Sequence, residues 1–156
     1  MKTINYLLGY KNLKIYQDTE MFNFSLDSVL LPNFVTINKN CKNILDIGSG
    51  NAVIPLILTT KTDAHITGVE IQTESYELGI DSINLNNLNN KITFYNMDVK
   101  DYYKICESDY YDVITCNPPF FKVQNQSKFN NTDYKTIASH EVCLNIEDLF
   151  RIAKKL

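Results

Sequence analysis

The segment Asn43-Ile44-Leu45-Asp46-Ile47, followed at once by Gly48-Ser49-Gly50-Asn51, constrains the fold of this chain more than any other stretch. A short apolar run between polar residues reads as a buried strand, and two glycines allow a turn whose backbone can approach a ligand closely. Pro55 falls in the first turn of the helix expected over residues 52–60, where a missing amide proton costs little. Strand, glycine turn and helix in that order present free backbone amides at a helix start. The chain then repeats the alternation. Residues 65–71 read as a second strand ending in Glu70, and residues 73–88 as a helix capped by Thr73 with Glu74 in its first turn. A third strand is expected over residues 91–96, followed by Met97-Asp98, and a fourth over residues 110–116. Strands alternating with helices at this spacing predict an α/β fold on a parallel sheet with right-handed crossovers.

The flanks are less regular. Leu13-Lys14-Ile15-Tyr16-Gln17 alternates as a hairpin arm would. A helix is expected after Ser25 as N-cap, with Asp27 at its positive end and Leu26, Val29, Leu30, Phe34 and Ile37 near helical spacing. Pro32 should kink it or move its start to the Leu31-Pro32 junction. Residues 122–135 are polar and aperiodic, hence a loop, and a last amphipathic helix over residues 146–156 presents Leu149, Ile152, Ala153 and Leu156. The 156 residues make one domain. Within it, residues 1–42 read as a lid segment, 43–121 as the ligand-binding core, and 122–156 as the loop and last helix. Neither a membrane span nor an export signal is expected, which implies a cytoplasmic protein. Cys41, Cys106, Cys116 and Cys143 lack any CxxC spacing, so reduced and mostly buried thiols are expected, and no metal site.

Four of the strand ends carry an acid or an amide: Asp46, Glu70, Asp98 and Asn117. That edge of an open α/β sheet is where ligands bind. Charge is unevenly spread: residues 46–120 hold 4 Lys against 11 Asp or Glu, net −7, whereas 1–45 and 121–156 are each net +2. An acidic middle suits a cationic cofactor, and basic flanks suit a polyanion. In Asn117-Pro118-Pro119-Phe120 the two prolines stiffen the chain leaving the run Asp112-Val113-Ile114-Thr115-Cys116. An amide, a carbonyl and an aromatic ring held together suit a planar amine, whose two protons need acceptors and whose ring can stack. A glycine turn with a following ribose-binding acid also fits a dehydrogenase. Against it, Ala52 and Val53 replace a third glycine, and Asn-Pro-Pro-Phe has no part in hydride transfer.

Asp46-Ile-Gly48-Ser-Gly50, Gly68-Val-Glu70, Asn96-Met-Asp98 and Asn117-Pro-Pro-Phe120 together resemble motifs I to IV of class I S-adenosylmethionine-dependent methyltransferases, in their amine-methylating branch. Residues 24–31, the run Asn51-Ala-Val-Ile-Pro55, Ser139-His140-Glu141 and residues 145–156 resemble the tRNA1(Val) (adenine-37-N6)-methyltransferase family. The resemblance implies a Rossmann-like methyltransferase sheet, S-adenosylmethionine as cofactor and tRNA as partner. It implies that Asp46, Gly48 and Gly50 hold the methionine part, Glu70 the ribose, and Asp98 with the Val99 amide the adenine, with Asn51 and Ile71 also cofactor-binding. Phe24, Ser25 and Asp27 would close over the methionine end. Asn117, Pro118, Pro119 and Phe120 would carry the transfer, with Asn117 also beside the cofactor. His140 and Glu141 match family positions without a chemical role evident in the residues themselves.

Members of that fold have further strands after the last helix found here. Their absence from this sequence predicts an exposed edge at the fourth strand and either self-association or pairing with a missing C-terminal half. Two other functions fit part of the sequence. One is protein-glutamine N5-methylation, which also uses Asn-Pro-Pro with an aromatic; the other is a noncatalytic cofactor-binding or scaffold role.

Overall fold

Apolar residues on both faces of the predicted strands place the sheet at the centre of the molecule, and the computed structural model has it there. It describes residues 1–7, 9–10, 12–21, 24–117 and 144–156. An antiparallel hairpin of β1 (Lys2–Tyr6) and β2 (Lys14–Asp18) comes first, followed by helix α1 (Leu26–Phe34). Next come β3 (Asn43–Ile47), α2 (Val53–Leu58), β4 (His65–Glu70), α3 (Thr73–Leu85), β5 (Ile92–Asn96), α4 (Val99–Ile105) and β6 (Val113–Cys116). Helix α5 (Ile146–Lys155) closes the described chain. The larger sheet is parallel throughout, in the order β5-β4-β3-β6. Winding runs outward from β3 in one direction through β4 and β5, then reverses to β6, so a topological switch point lies between β3 and β6. The α/β, Rossmann-like arrangement expected from the alternation is the one observed.

Alternate residues of each strand feed separate cores. Ile44, Ile66, Ile92 and Phe94 pack with α2, with Ile83 of α3 and with Leu7, Leu13 and Ile15 of the hairpin region. Leu45, Ile47 and Val69 pack on the other face with Val99 and Tyr102 of α4 and with Ile152 and Leu156. Each such side chain, withdrawn from water, contributes about 1.5–3 kcal/mol. Phe94 sets two glycines. A Cβ on Gly68 or Gly79 would lie 2.5 or 2.3 Å from its ring, which stacks on Tyr76 at 5.2 Å between centroids.

The hairpin is tied down by polar side chains along β2. The Tyr16 amide donates to Ser82 Oγ at 2.9 Å, the Lys14 amide to Asn86 Oδ1 at 3.0 Å, and Asn86 Nδ2 returns to the Lys14 carbonyl at 2.7 Å. An edge strand's free backbone groups are thereby met by a helix.

Several expectations about the elements need correction. Helix α1 starts after Ser25 as read, and Pro32 does not displace that start; the helix ends at Phe34, so Ile37 lies beyond it. Its buried residues are Ser28 and Pro32, while Leu26 and Phe34 are 71% and 80% exposed. Val29 and Leu31 pack against the core and Pro32 is buried, since α1 lies on α2, so only Leu26, Leu30 and Phe34 of the expected apolar set stay exposed. Gln72, not Thr73, is the N-cap of α3; the Thr73 hydroxyl donates instead to Asn96 Oδ1 at 2.9 Å. Helix α3 stops at Leu85, where Asn87 takes a left-handed φ of 56°. Helix α4, absent from the sequence reading, is capped by Asp98, which accepts from the Lys100 amide at 2.8 Å. In α5, Ile152 and Leu156 are buried as expected, but Ala153 is exposed. Cys41, Cys106 and Cys116 are free but half-buried, and Cys143 lies outside the described residues, as does the expected loop over residues 122–135.

Candidate functional site

The carboxyl ends of β3, β4, β5 and β6 bring Asp46, Glu70, Asn96 and Asn117 to one edge and one face of the sheet, because all four share the strand parity of Ile44, Ile66, Ile92 and Val113. Asp46 is fully buried. Its Oδ1 accepts from the Thr115 hydroxyl at 2.6 Å across the β3–β6 pair, and the Ser49 hydroxyl donates to its carbonyl at 2.9 Å. Its Oδ2 is buried with no partner among the described residues. Burial pushes the Asp46 carboxyl up to about 7, with the Glu70 charge adding and the bond from the Thr115 hydroxyl opposing.

The turn after β3 explains its two glycines. Gly48 and Gly50 have φ of 67° and 56°, and a Cβ on either would meet nothing within 4 Å. Left-handed backbone favours glycine, and the space in front of both is open. Ala52 shares that conformation with φ 69° and starts α2. An unpartnered buried carboxylate oxygen beside an open glycine cradle fits a ligand that brings a cation, as an ammonium or sulfonium group does.

Glu70 is nearly as buried as Asp46, and burial raises its carboxyl too, opposed by bonds from backbone amides. Its Oε2 accepts from the Gly50 amide and its Oε1 from the Gln72 amide, both at 2.8 Å. Each carboxylate oxygen has a second acceptor site, so capacity for a diol remains. Ile71 beside it is 41% exposed, an apolar surface at the sheet edge. Asp98 is committed through one oxygen to capping α4, whose first residue, Val99, is buried. The Asn51 side chain donates to the Tyr16 carbonyl at 3.0 Å and so joins the glycine turn to the hairpin.

On the acceptor side, Asn117 is half-buried and its Nδ2 donates to Ser28 Oγ at 2.9 Å. Phe24 packs against the core beneath α1, and the Ser25 hydroxyl donates to Asp27 at 3.3 Å, which leaves Asp27 exposed. Pro118, Pro119, Phe120, His140 and Glu141 lie outside the described residues. Sequence reasoning missed Thr115 and Ser28. Thr115 was recoverable, since it stands two residues before Asn117 on the same strand face; the pairing of Ser28 with Asn117, 89 positions away, left no local signal. Among the described residues, no group of three or more His, Cys, Asp or Glu could hold a metal ion, and no helix is long and apolar enough to cross a membrane.

This geometry belongs to a known class. Residues 23–146 match the methyltransferase small domain, and the chain belongs to that family. It is 30% identical over 151 residues to the tRNA1(Val) (adenine(37)-N6)-methyltransferase of Flavobacterium psychrophilum, a match covering 96% of this chain and 63% of that protein. The protein of the same name from Cytophaga hutchinsonii is 29% identical over 143 residues, covering 92% and 58% of the two chains. The chain therefore spans about three fifths of the length of these relatives. Among solved structures, P. horikoshii TYW2, crystallised in complex with MeSAdo, shares the fold with a TM-score of 0.60 at 19% identity. That match covers 79% of this chain and 44% of the other.

Proposed function

We propose that the chain binds S-adenosylmethionine at the β3–β5 edge and directs methyl transfer to N6 of an adenine in tRNA, at position 37 beside the anticodon. The observation that carries this reading is the placement of Asn117. It stands on the same strand face as Thr115, whose hydroxyl bonds Asp46, so an amide suited to an amine lies beside a carboxylate suited to a cation. The names of the relatives, tRNA1(Val) (adenine(37)-N6)-methyltransferases, support the choice of acceptor. Division into a lid over residues 1–42, a cofactor core over 43–121 and a tail over 122–156 is part of the proposal, as is action in the cytoplasm.

Asp46, Gly48, Gly50 and Asn51 are assigned the methionine end, Glu70 and Ile71 the ribose side, and Asp98 and Val99 the adenine. Phe24, Ser25 and Asp27 are assigned a covering role over that end. The cofactor, when bound, supplies an electrophilic methyl group on a sulfonium. An adenine amine is a weak nucleophile because its lone pair is delocalised into the ring. The Asn117 amide oxygen would accept a hydrogen bond from one N–H and favour a pyramidal nitrogen whose lone pair can attack, and the proton made acidic by the transfer passes to water. The Pro118 carbonyl is assigned the second proton and the Phe120 ring the base face, by sequence alone. A base must leave its stack to reach such a site. Exposed Ile146 and Phe150 of α5 and the side of β6 that no described strand pairs suit a second copy or further chain, which sedimentation of the protein would distinguish.

The test is calorimetry with S-adenosylmethionine followed by transfer to unmodified tRNA, with N6-methyladenosine read by mass spectrometry. Saturable binding and a single modified nucleotide are expected. Binding without transfer would select a noncatalytic cofactor-binding role instead.

A further inference from the structure

We propose that Ser28 is a positioning residue for the transfer step, which fixes the end of the Asn117 amide that meets the amine. The inference rests on the amine methylation proposed above. A side-chain amide has two chemically opposite ends, an oxygen that only accepts and an NH2 that only donates. The target amine brings protons, so only the oxygen serves it; the NH2 turned to the same place would set donor against donor. Half a turn about the last side-chain torsion exchanges the ends, and the two are nearly equal in size. Nothing within Asn117 decides between them.

Ser28 decides. Its Oγ accepts from Asn117 Nδ2 at 2.9 Å, and Oδ1 has no partner among the described residues. The competing hydroxyl on the same strand is engaged elsewhere, since Thr115 Oγ1 donates to Asp46 Oδ1 at 2.6 Å. Ser28 itself is 9% exposed, inside a helix rather than on a loop. No other described group bonds the Ser28 oxygen, so its lone pairs serve the Asn117 NH2. The helix is anchored from two sides. The Lys61 ammonium bonds the Pro32 carbonyl, and the Tyr10 hydroxyl donates to Asn33 Oδ1 at 3.0 Å. Ser28 is one of the two buried residues of α1, and its hydroxyl makes the contact to the end of β6.

The experiment uses the ¹⁵N-labelled full chain, with the Asn117 side-chain amide pair assigned by its loss in Asn117→Ala. In the wild type one Nδ2 proton should exchange slowly with water. Ser28→Ala should abolish that protection and Ser28→Thr should keep it. With unmodified tRNA, Ser28→Ala should lower kcat about tenfold, the scale of one hydrogen bond. The Kd for S-adenosylmethionine and the Tm should hold, Ser28→Thr should restore kcat, and Ser28→Ala should add nothing on an Asn117→Ala background. An unchanged Asn117 amide signal in Ser28→Ala overturns the proposal. So does a kcat loss additive with that of Asn117→Ala, or no kcat loss in an active enzyme. If the wild type binds the cofactor yet methylates no adenine substrate, the functional reading fails, and the amide signal alone decides the role of Ser28.

Discussion

The ends of β3 and β6 lie side by side in the sheet and are built in opposite ways. Asp46 at the β3 end is fully buried, fixed by Thr115 and Ser49, and displaced in its ionisation by that burial. Asn117, just past β6, is half-buried beside an edge strand and held by Ser28 on a helix whose outer side faces solvent. A buried carboxylate acts on whatever cation is bound, before and during reaction. An amide beyond the last described strand suits a second molecule that arrives from outside. On the proposed function, retention of the cofactor and transfer to the acceptor are separable by mutation, one at each strand end.

The largest expected effect tests that separation. Asn117→Ala lowers turnover on tRNA by roughly 10²–10³-fold, the scale of one preorganised polar contact. Its cofactor Kd should stay within about tenfold of wild type. Asp46→Asn should do the reverse, weakening S-adenosylmethionine by about 10²-fold, as expected when one partner of a buried charge pair is removed. Calorimetry and single-turnover rates measure both. Equal losses of binding and turnover in the two variants would break the comparison.

The same buried carboxylate makes stability depend on pH. The folded Asp46 value of about 7 lies above the ordinary 3.8, so folding favours the protonated form. The penalty is absent below the unfolded value, grows as pH rises toward 7, and is complete above it. At about 1.4 kcal/mol per unit it amounts to about 4 kcal/mol. Glu70, raised in the same direction, acts with the same sign. Asp46→Asn should therefore unfold at higher denaturant than wild type at pH 8 and at about the same denaturant at pH 4. Cofactor affinity runs the other way, since only the ionised carboxylate holds a cation, and should tighten as pH rises through about 7. An unfolding difference between variant and wild type that is equal at the two pH values would refute the burial argument.

A smaller effect lies away from both strand ends. Gly79→Ala gains about 1 kcal/mol of helix propensity but places a Cβ 2.3 Å from the Phe94 ring. Overpacking of this kind costs about 1–3 kcal/mol, so Tm should fall while the cofactor Kd is kept. A variant with raised Tm would show that Phe94 can move, and that the packing beneath β4 does not constrain the site.

What the sequence made legible divides along the same line. The β3 end could be read because its signals are local: an apolar strand, a glycine turn and an acid lie within a few consecutive residues. Glu70 and Asp98 could be placed at strand ends for the same reason. Contacts between distant segments left no such trace. The helix periodicity of Leu26, Leu30 and Phe34 pointed to a core face, yet α1 packs on α2 through Val29, Leu31 and Pro32 and buries Ser28 at the contact to Asn117, a placement that depends on distant segments. The dual role of Asp98 as cap was likewise hidden, since α4 is short, although Val99, Tyr102 and Tyr103 recur at helical spacing. Asn86 falls in the helix expected over residues 73–88, and nothing local marks its side chain as the partner of the β2 edge.

Thr115 joins the two strand ends, and its removal is the mildest way to sharpen the contrast between them. Its hydroxyl donates to Asp46 Oδ1 at 2.6 Å and draws the carboxyl downward against the larger upward effect of burial. Thr115→Val keeps a β-branched shape in the strand and removes only that donor. A hydrogen bond to a charged group contributes about 1.5–3 kcal/mol, or about 1–2 units of ionisation. The midpoint of the pH dependence of cofactor binding should therefore rise by about one unit. At pH 9, where the carboxylate is ionised in both proteins, the affinities should converge. Turnover at saturating cofactor should also hold there, because Asn117 keeps its own contact to Ser28. A midpoint that stays in place would mean that binding does not report the ionisation of Asp46. A turnover loss at pH 9 would mean that the two strand ends act as a single unit.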